Sequence, residues 1–270
     1  MTGFVLRRNG LTVPKRQYAA LHSARLMPLL AAAMQPFTSP HPDPVLAWAG
    51  FQGYRLAPRR RNNLTRLVRR NPYGNSYHHP WHSLTVVMNA AILAERAGVR
   101  PGAGTRQRDA LLMAALCHDL EHRGKRASTA DYVEERRATA ISIRSGFGSG
   151  SGRKKDADAL KARIDSTAAI WRKTAEIETM TALLRDADIM ASCFSPRRIA
   201  LDLSRRVMRE KGLAIPAASA LSGFLKVMEK RGFDHPATQR LATTMSAATL
   251  GIGHAPDVAI KLGFRMGGSR

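Results

Sequence analysis

Side chains that hold metal ions or move protons gather at three places in this chain of 270 residues. NSYHHPWHSL, residues 75–84, carries His78, His79 and His82. ALCHDLEH, residues 115–122, carries the adjacent pair His118 and Asp119, with His122 one helical turn past His118. EIETMTALLRDADIMAS, residues 176–192, carries Asp186 and Asp188. Imidazole and carboxylate together are a ligand set for divalent ions. The second of these stretches is otherwise apolar, and an ionisable group buried there is costly unless something compensates it, which a bound cation does well.

Each place also has a plainer reading. Histidine–aspartate pairs occur by accident in many helices. His78 and His82 stand four apart, the spacing that puts two side chains on one helix face, and a histidine cluster before a buried helix can equally cap that helix or pack a loop. A helical wheel sets Asp188 between Ile177 and Leu184 at the edge of the apolar stripe, and turns Asp186 about 160° away toward solvent. Asp188 is then the buried carboxylate, with a salt bridge to a neighbouring arginine as the plainer alternative. Three segments that each supply ligands of the right type favour a shared cation cavity.

The elements that must position these groups read as helices. LTVVMNAAILAERAG, from Leu84, is apolar on nearly all sides, so a central buried helix is expected there, ended by Gly98 and Pro101. RDALLMAALCHDLEHRG is expected to continue as one helix to Gly124. STADYVEERRATAISI follows with Ser128 and Thr129 as N-cap candidates. SGFGSGSGRKKD lacks the G-x-x-x-x-G-K-[ST] spacing of a phosphate-binding loop and reads as a mobile connection. Two helices are expected across ALKARIDSTAAIWRKTAEIETMTALLRDADIMAS, and two or three more from Pro196, punctuated by Pro216 and Pro236, before a frayed tail. Ala and Leu dominate over Val and Ile, and unbranched side chains lose little rotamer freedom in a helix. With no sustained alternation and no internal repeat, the expected class is all-α, a chain long enough for one large core plus an appendage.

Two cysteines, Cys117 and Cys193, form no disulfide framework and suggest a reducing, cytoplasmic setting. No window approaches the ~18 apolar residues of a membrane span. RLMPLLAAAMQPF is short, contains Pro28, and reads as an amphipathic helix rather than a targeting signal. The formal charge of +23 lies on the flanks: residues 1–71 hold twelve Lys/Arg against Asp43 alone, whereas residues 72–194 hold eighteen against fourteen acids. Such a field draws anionic small molecules and polyanions, nucleic acid included.

The motifs, taken together, resemble the HD-domain metal-dependent phosphohydrolases, and in particular the catalytic core of the class I cyclic nucleotide phosphodiesterases. YHHPWHSLTV, HDLEHRG, VEERR and DADIMAS stand in the family's order between about Asn71 and Glu229. The resemblance implies a compact helical bundle spanning residues 71–230 and leaves the flanks unexplained; a basic, partly helical extension is expected over 1–70, and helices and a tail packed on the core over 231–270. It implies that His82, His118, Asp119 and Asp188 hold metal, with Asp119 bridging two ions (Zn, Mn, Mg or Fe). His78 becomes the general acid, while His122 and Glu134 orient ligands and water. A second register, through NPYGNSYH, would make His78 the ligand and put Gly74 where the acid belongs; the first keeps Tyr-His intact and Val86 where the family has valine. Departures are His79 for an asparagine, Arg137 for a histidine, Ala127 for a frequent asparagine, and Leu221 for the glutamine that grips a purine. Phe224 could still stack on a base.

The expected reaction is attack on phosphorus by a metal-activated hydroxide, with His78 protonating the departing oxygen. The substrate expected is a cyclic nucleotide or related small phosphoester. The rivals are a nuclease or nucleotide phosphohydrolase guided by the basic surface, and a non-catalytic binding module that keeps the fold.

Overall fold

Helix α1, Pro80–Arg96, begins two residues before His82, so the histidine stands in its first turn. Proline suits that entry, because the first N–H groups of a helix have no partner within it. Val86, Val87, Ala90, Leu93 and Ala94 are fully buried. The helix ends in a reversed turn at Gly98, whose φ of 76° only glycine adopts freely. There the Val99 N–H reaches the Ala94 carbonyl at 2.9 Å, a closure that satisfies an orphan carbonyl of the last turn.

The protein is described by a computed structural model that covers residues 74–99, 105–127, 132–144, 153–168, 176–194 and 197–240. Expectations for the basic extension over 1–70, the caps Ser128 and Thr129, the glycine-rich connection at 145–152 and the tail lie outside those residues. Among the described residues there are seven α-helices and no strand. After α1 come α2 (Thr105–Cys117), α3 (Val133–Arg144), α4 (Arg153–Ala168), α5 (Thr179–Phe194), α6 (Arg197–Lys211) and α7 (Ala217–Arg231). A short 3-10 turn at Gly124–Arg126 separates α2 from α3. RKKD, expected at the edge of a loop, forms the first turn of α4. None of the described helices is long and apolar enough to cross a membrane.

The α5 helix is the spine, packing on α1, α2, α4 and α6. Its Ala182, Leu183, Leu184 and Ala187 are buried. Ala90 of α1 and Ala114 and Ala115 of α2 are also fully buried, small side chains of the kind that let helices approach closely. Asn89, also buried, donates its side-chain N–H to the Ala187 carbonyl at 3.0 Å, pinning α1 to α5 one residue before Asp188. The start of α5 is closed by Glu178, whose carboxylate accepts the Thr181 N–H and hydroxyl, both at 2.9 Å. The α6–α7 hairpin completes the packing around Leu221, Leu225, Met228 and Phe233.

Asp186 departs from the wheel. It is fully buried, and its two oxygens accept the backbone N–H groups of Asp234 and His235 at 2.8 Å each. The face assigned to solvent is covered by residues 232–240, which fold back onto α5. Asp234 in turn forms an ion pair with Arg185 at 2.9 Å and accepts from Arg231 at 2.6 Å, all three side chains being buried. A wheel drawn for one helix cannot register a covering segment some fifty positions away.

Leu183 is fully buried on the spine, so Leu183→Ala should lower the unfolding free energy by ~2–5 kcal/mol, with a matching drop in the urea midpoint.

Candidate metal centre

The His118–Asp119 pair stands just past the end of α2, not within it, because the helix stops at Cys117. The Leu120 N–H bonds the Cys117 carbonyl and the His122 N–H bonds the Asp119 carbonyl, both at 3.1 Å, so the backbone tightens into turns. Glu121 follows in the left-handed region at φ 56°. The apolar run through Cys117 carries no mark of that change. Its effect is to turn the pair out of the helix ladder toward α1 and α5.

Three chain segments meet there. His82 Nε2 lies 3.2 Å from Asp119 Oδ2 and 2.9 Å from Asp188 Oδ1. His118 Nε2 lies 3.0 Å from Asp119 Oδ2 and 3.6 Å from Asp188 Oδ1. Ligands held about 2.1 Å from a common zinc-like ion would themselves stand roughly 3.0–3.4 Å apart, close to the 2.9–3.6 Å between these nitrogens and oxygens. The hydrogen bonding agrees. His118 Nδ1–H donates to the Ala115 carbonyl at 2.7 Å, leaving the Nε2 lone pair as the inward-facing atom. Both His118 Nε2 and Asp119 Oδ2 are buried without a hydrogen bond of acceptable geometry. A lone pair facing a carboxylate oxygen at 3.0 Å calls for a positive charge between them, and a divalent ion fits.

Electrostatics show the same need. Burial pulls the His82 imidazole down, but the carboxylates of Asp119 and Asp188 outweigh it and hold it up at about 9. His118 is likewise raised well above its ordinary value, against its burial, chiefly by Asp119. Burial pushes the Asp119 and Asp188 carboxyls up, and the facing histidines reverse that and bring both well below the usual range. The cavity collects protons when nothing else supplies the charge.

His78 is not part of this cluster. It stacks on His122, with ring centroids 3.7 Å apart, and its Nδ1 hydrogen-bonds Glu210 Oε1. The other Glu210 oxygen accepts the backbone N–H groups of Tyr77 and His78 at 2.7 and 2.9 Å. His78, His122 and Glu210 thus form a second group with metal-type atoms close together. Their inward atoms are already engaged, however: His122 Nδ1 accepts the Gly124 N–H at 3.0 Å. Burial, then the neighbouring His78, lowers His122 to about 4, so its ring is neutral and the stack avoids two like charges. The atoms of this group are thus tied up in hydrogen bonds within the protein, unlike the facing atoms of His118 and Asp119.

Asn75 joins the two halves by donating to the carbonyls of His122 and, at 3.1 Å, His78. Glu134 is buried and salt-bridged to Arg123, with Arg123 Nε at 2.7 Å. Phe224 packs against the cluster that contains Leu221, Leu225 and Phe233. Sequence reasoning missed Glu210 and Asn75. Glu210 carries one trace of its role, as the sole acid between Asp202 and Glu229 in a basic stretch. Asn75 carries none.

No protein-family model matches the chain, and no curated relative does. In fold it is similar to the phosphodiesterase domain of the RhoPDE fusion protein from the choanoflagellate Salpingoeca rosetta, with a TM-score of 0.53 at 14% identity over 87% of each chain. The described residues therefore have an all-α architecture of the phosphodiesterase type.

Two glycines give a matched pair of tests. Gly98→Ala meets no neighbouring atom and should cost only the left-handed strain, ~1–2 kcal/mol. At Gly124, with φ 60°, a Cβ would stand 2.3 Å from Asn75 Oδ1. Gly124→Ala should therefore lower the urea midpoint further than Gly98→Ala, because the Asn75 bridge must also give way.

Proposed function

We propose that this chain is a metal-dependent phosphodiesterase acting on a cyclic nucleotide or a related small phosphoester. The observation that carries the reading is the approach of His82, His118 and Asp119, close enough to share one ion, with Asp188 against both histidines and the facing His118 and Asp119 atoms left without a hydrogen bond. These four residues would hold the ion. A divalent ion bound there supplies Lewis acidity toward a phosphoryl oxygen and an attacking water.

The rest falls to the protein's own groups. Glu210 fixes the backbone of Tyr77 and His78 and accepts the His78 Nδ1 proton. That leaves His78 Nε2 as the nitrogen that delivers a proton to the departing oxygen, the general-acid step. His122, neutral and anchored by Gly124, supports the ring of His78 from behind. Leu221 is buried among Leu225, Met228 and Phe233, so the position that would hydrogen-bond a purine offers only hydrocarbon. Selectivity for a purine base by that route is absent from the proposal.

The overall charge of +23 supports a second reading, hydrolysis of a polyanion such as a nucleic-acid strand. The two separate by salt, since polyanion binding weakens steeply as ionic strength rises and a small substrate responds mildly.

His118→Ala should abolish both metal uptake, read by elemental analysis, and hydrolysis across a panel of cyclic mononucleotides, cyclic dinucleotides and short RNA. His78→Ala should keep the metal and lose ~10²–10⁴-fold in rate. Undiminished turnover by His118→Ala would remove the assignment.

A further inference from the structure

Two ion pairs of opposite polarity tie α3 to the turn that carries Asp119 and His122. Glu134 receives Arg123, with Nε 2.7 Å and Nη2 2.5 Å from Oε1, and the Arg123 backbone N–H 3.2 Å from Oε2. Arg137, three residues further along the same helix face, reaches Glu121 Oε2 with Nη2 at 3.2 Å. The order of charges is the same along both segments and the pairing is crossed: acid 121 with base 137, base 123 with acid 134. The two pairs flank His122 on either side in sequence. Arg137 is also where the family pattern has a histidine, so its charge is a feature of this chain.

The turn needs such a hold. Glu121 adopts φ 56°, a conformation uncommon for a residue with a side chain and sustained only where surrounding contacts impose it. We infer that Glu121, Arg123, Glu134 and Arg137 are positioning residues, a crossed clamp on the 118–123 turn that sets where Asp119 and His122 reach. The inference rests on the metal reading of the site.

The clamp and simple electrostatics predict opposite signs for one substitution. Arg137→Glu adds negative charge near the cavity, which by charge alone would strengthen dication binding. If the clamp positions Asp119, the same change weakens it. The Arg137 side chain is 38% exposed, and a pair so open to water adds little to global stability. The urea midpoint should therefore hardly move.

The probe is Mn²⁺ alone, titrated calorimetrically into the metal-free full-length chain. Arg137→Glu should lose affinity by about tenfold, and the double variant Glu121→Arg/Arg137→Glu should recover most of it. Equal or tighter binding by Arg137→Glu, or a double variant that binds no more tightly than Arg137→Glu, overturns the clamp while leaving the metal reading intact. A wild-type chain that takes up no Mn²⁺ overturns both. Should the charge reversals fail to fold, Glu121→Asn and Arg137→Gln replace them, since asparagine tolerates the left-handed backbone. Unchanged Mn²⁺ affinity in that pair overturns the clamp equally.

Discussion

Two imidazoles and two carboxylates facing one another, with no sufficient positive charge of their own, are the constraint around which this structure is arranged. His82 and His118 present imidazole nitrogens, and Asp119 and Asp188 present carboxylate oxygens, at separations of 2.9–3.6 Å. Such a group cannot be buried and left bare, because the cost of isolated charge in a low-dielectric site exceeds what packing returns. Either protons or a metal must enter. The raised histidines and lowered aspartates are the first of those solutions, and the four-atom spacing suits the second.

The scaffold serves this constraint in layers. Helix α5 brings Asp188, α1 brings His82, and the end of α2 brings His118 and Asp119. Each is held by contacts away from the cavity: Asn89 on the Ala187 carbonyl, Ala115 on His118 Nδ1, and the ion pairs of α3 on the following turn. Glu210 does the same for the neighbouring histidine, spending both oxygens on one short loop. The cavity and the stacked imidazoles beside it are thus separate devices with different charge requirements. One gathers facing carboxylates and imidazoles; the other keeps one ring neutral beside another.

Much of this was legible in the sequence because the residues that meet lie in recognisable surroundings. His82, His118 and Asp119 stand next to apolar runs that read as buried helices, and the all-α class follows from Ala and Leu dominating over Val and Ile. Three things were not legible. The helix α2 ends at Cys117 and is followed by a left-handed residue, Glu121, whose type gives no hint of it. Asp186 looked exposed because its cover comes from residues 232–240, and burial by a distant segment leaves no periodic trace. Glu210 lies on a helix that reads as a basic amphipathic surface, and only the fold brings it to His78. Local pattern reports which residues are apolar together; it does not report which loop a distant carboxylate will grip.

The covering segment bears on where this protein can be cut. The motif-bearing stretch ends near Arg231, which makes that position a tempting terminus for a shortened chain. Truncation there would strip Asp186 of two amide donors and leave the buried Arg185 and Arg231 facing each other without Asp234. Uncompensated charge of that kind, placed on the helix that delivers Asp188, would spread its damage straight to the cavity. The smallest autonomous unit of this protein therefore extends beyond its recognisable motifs.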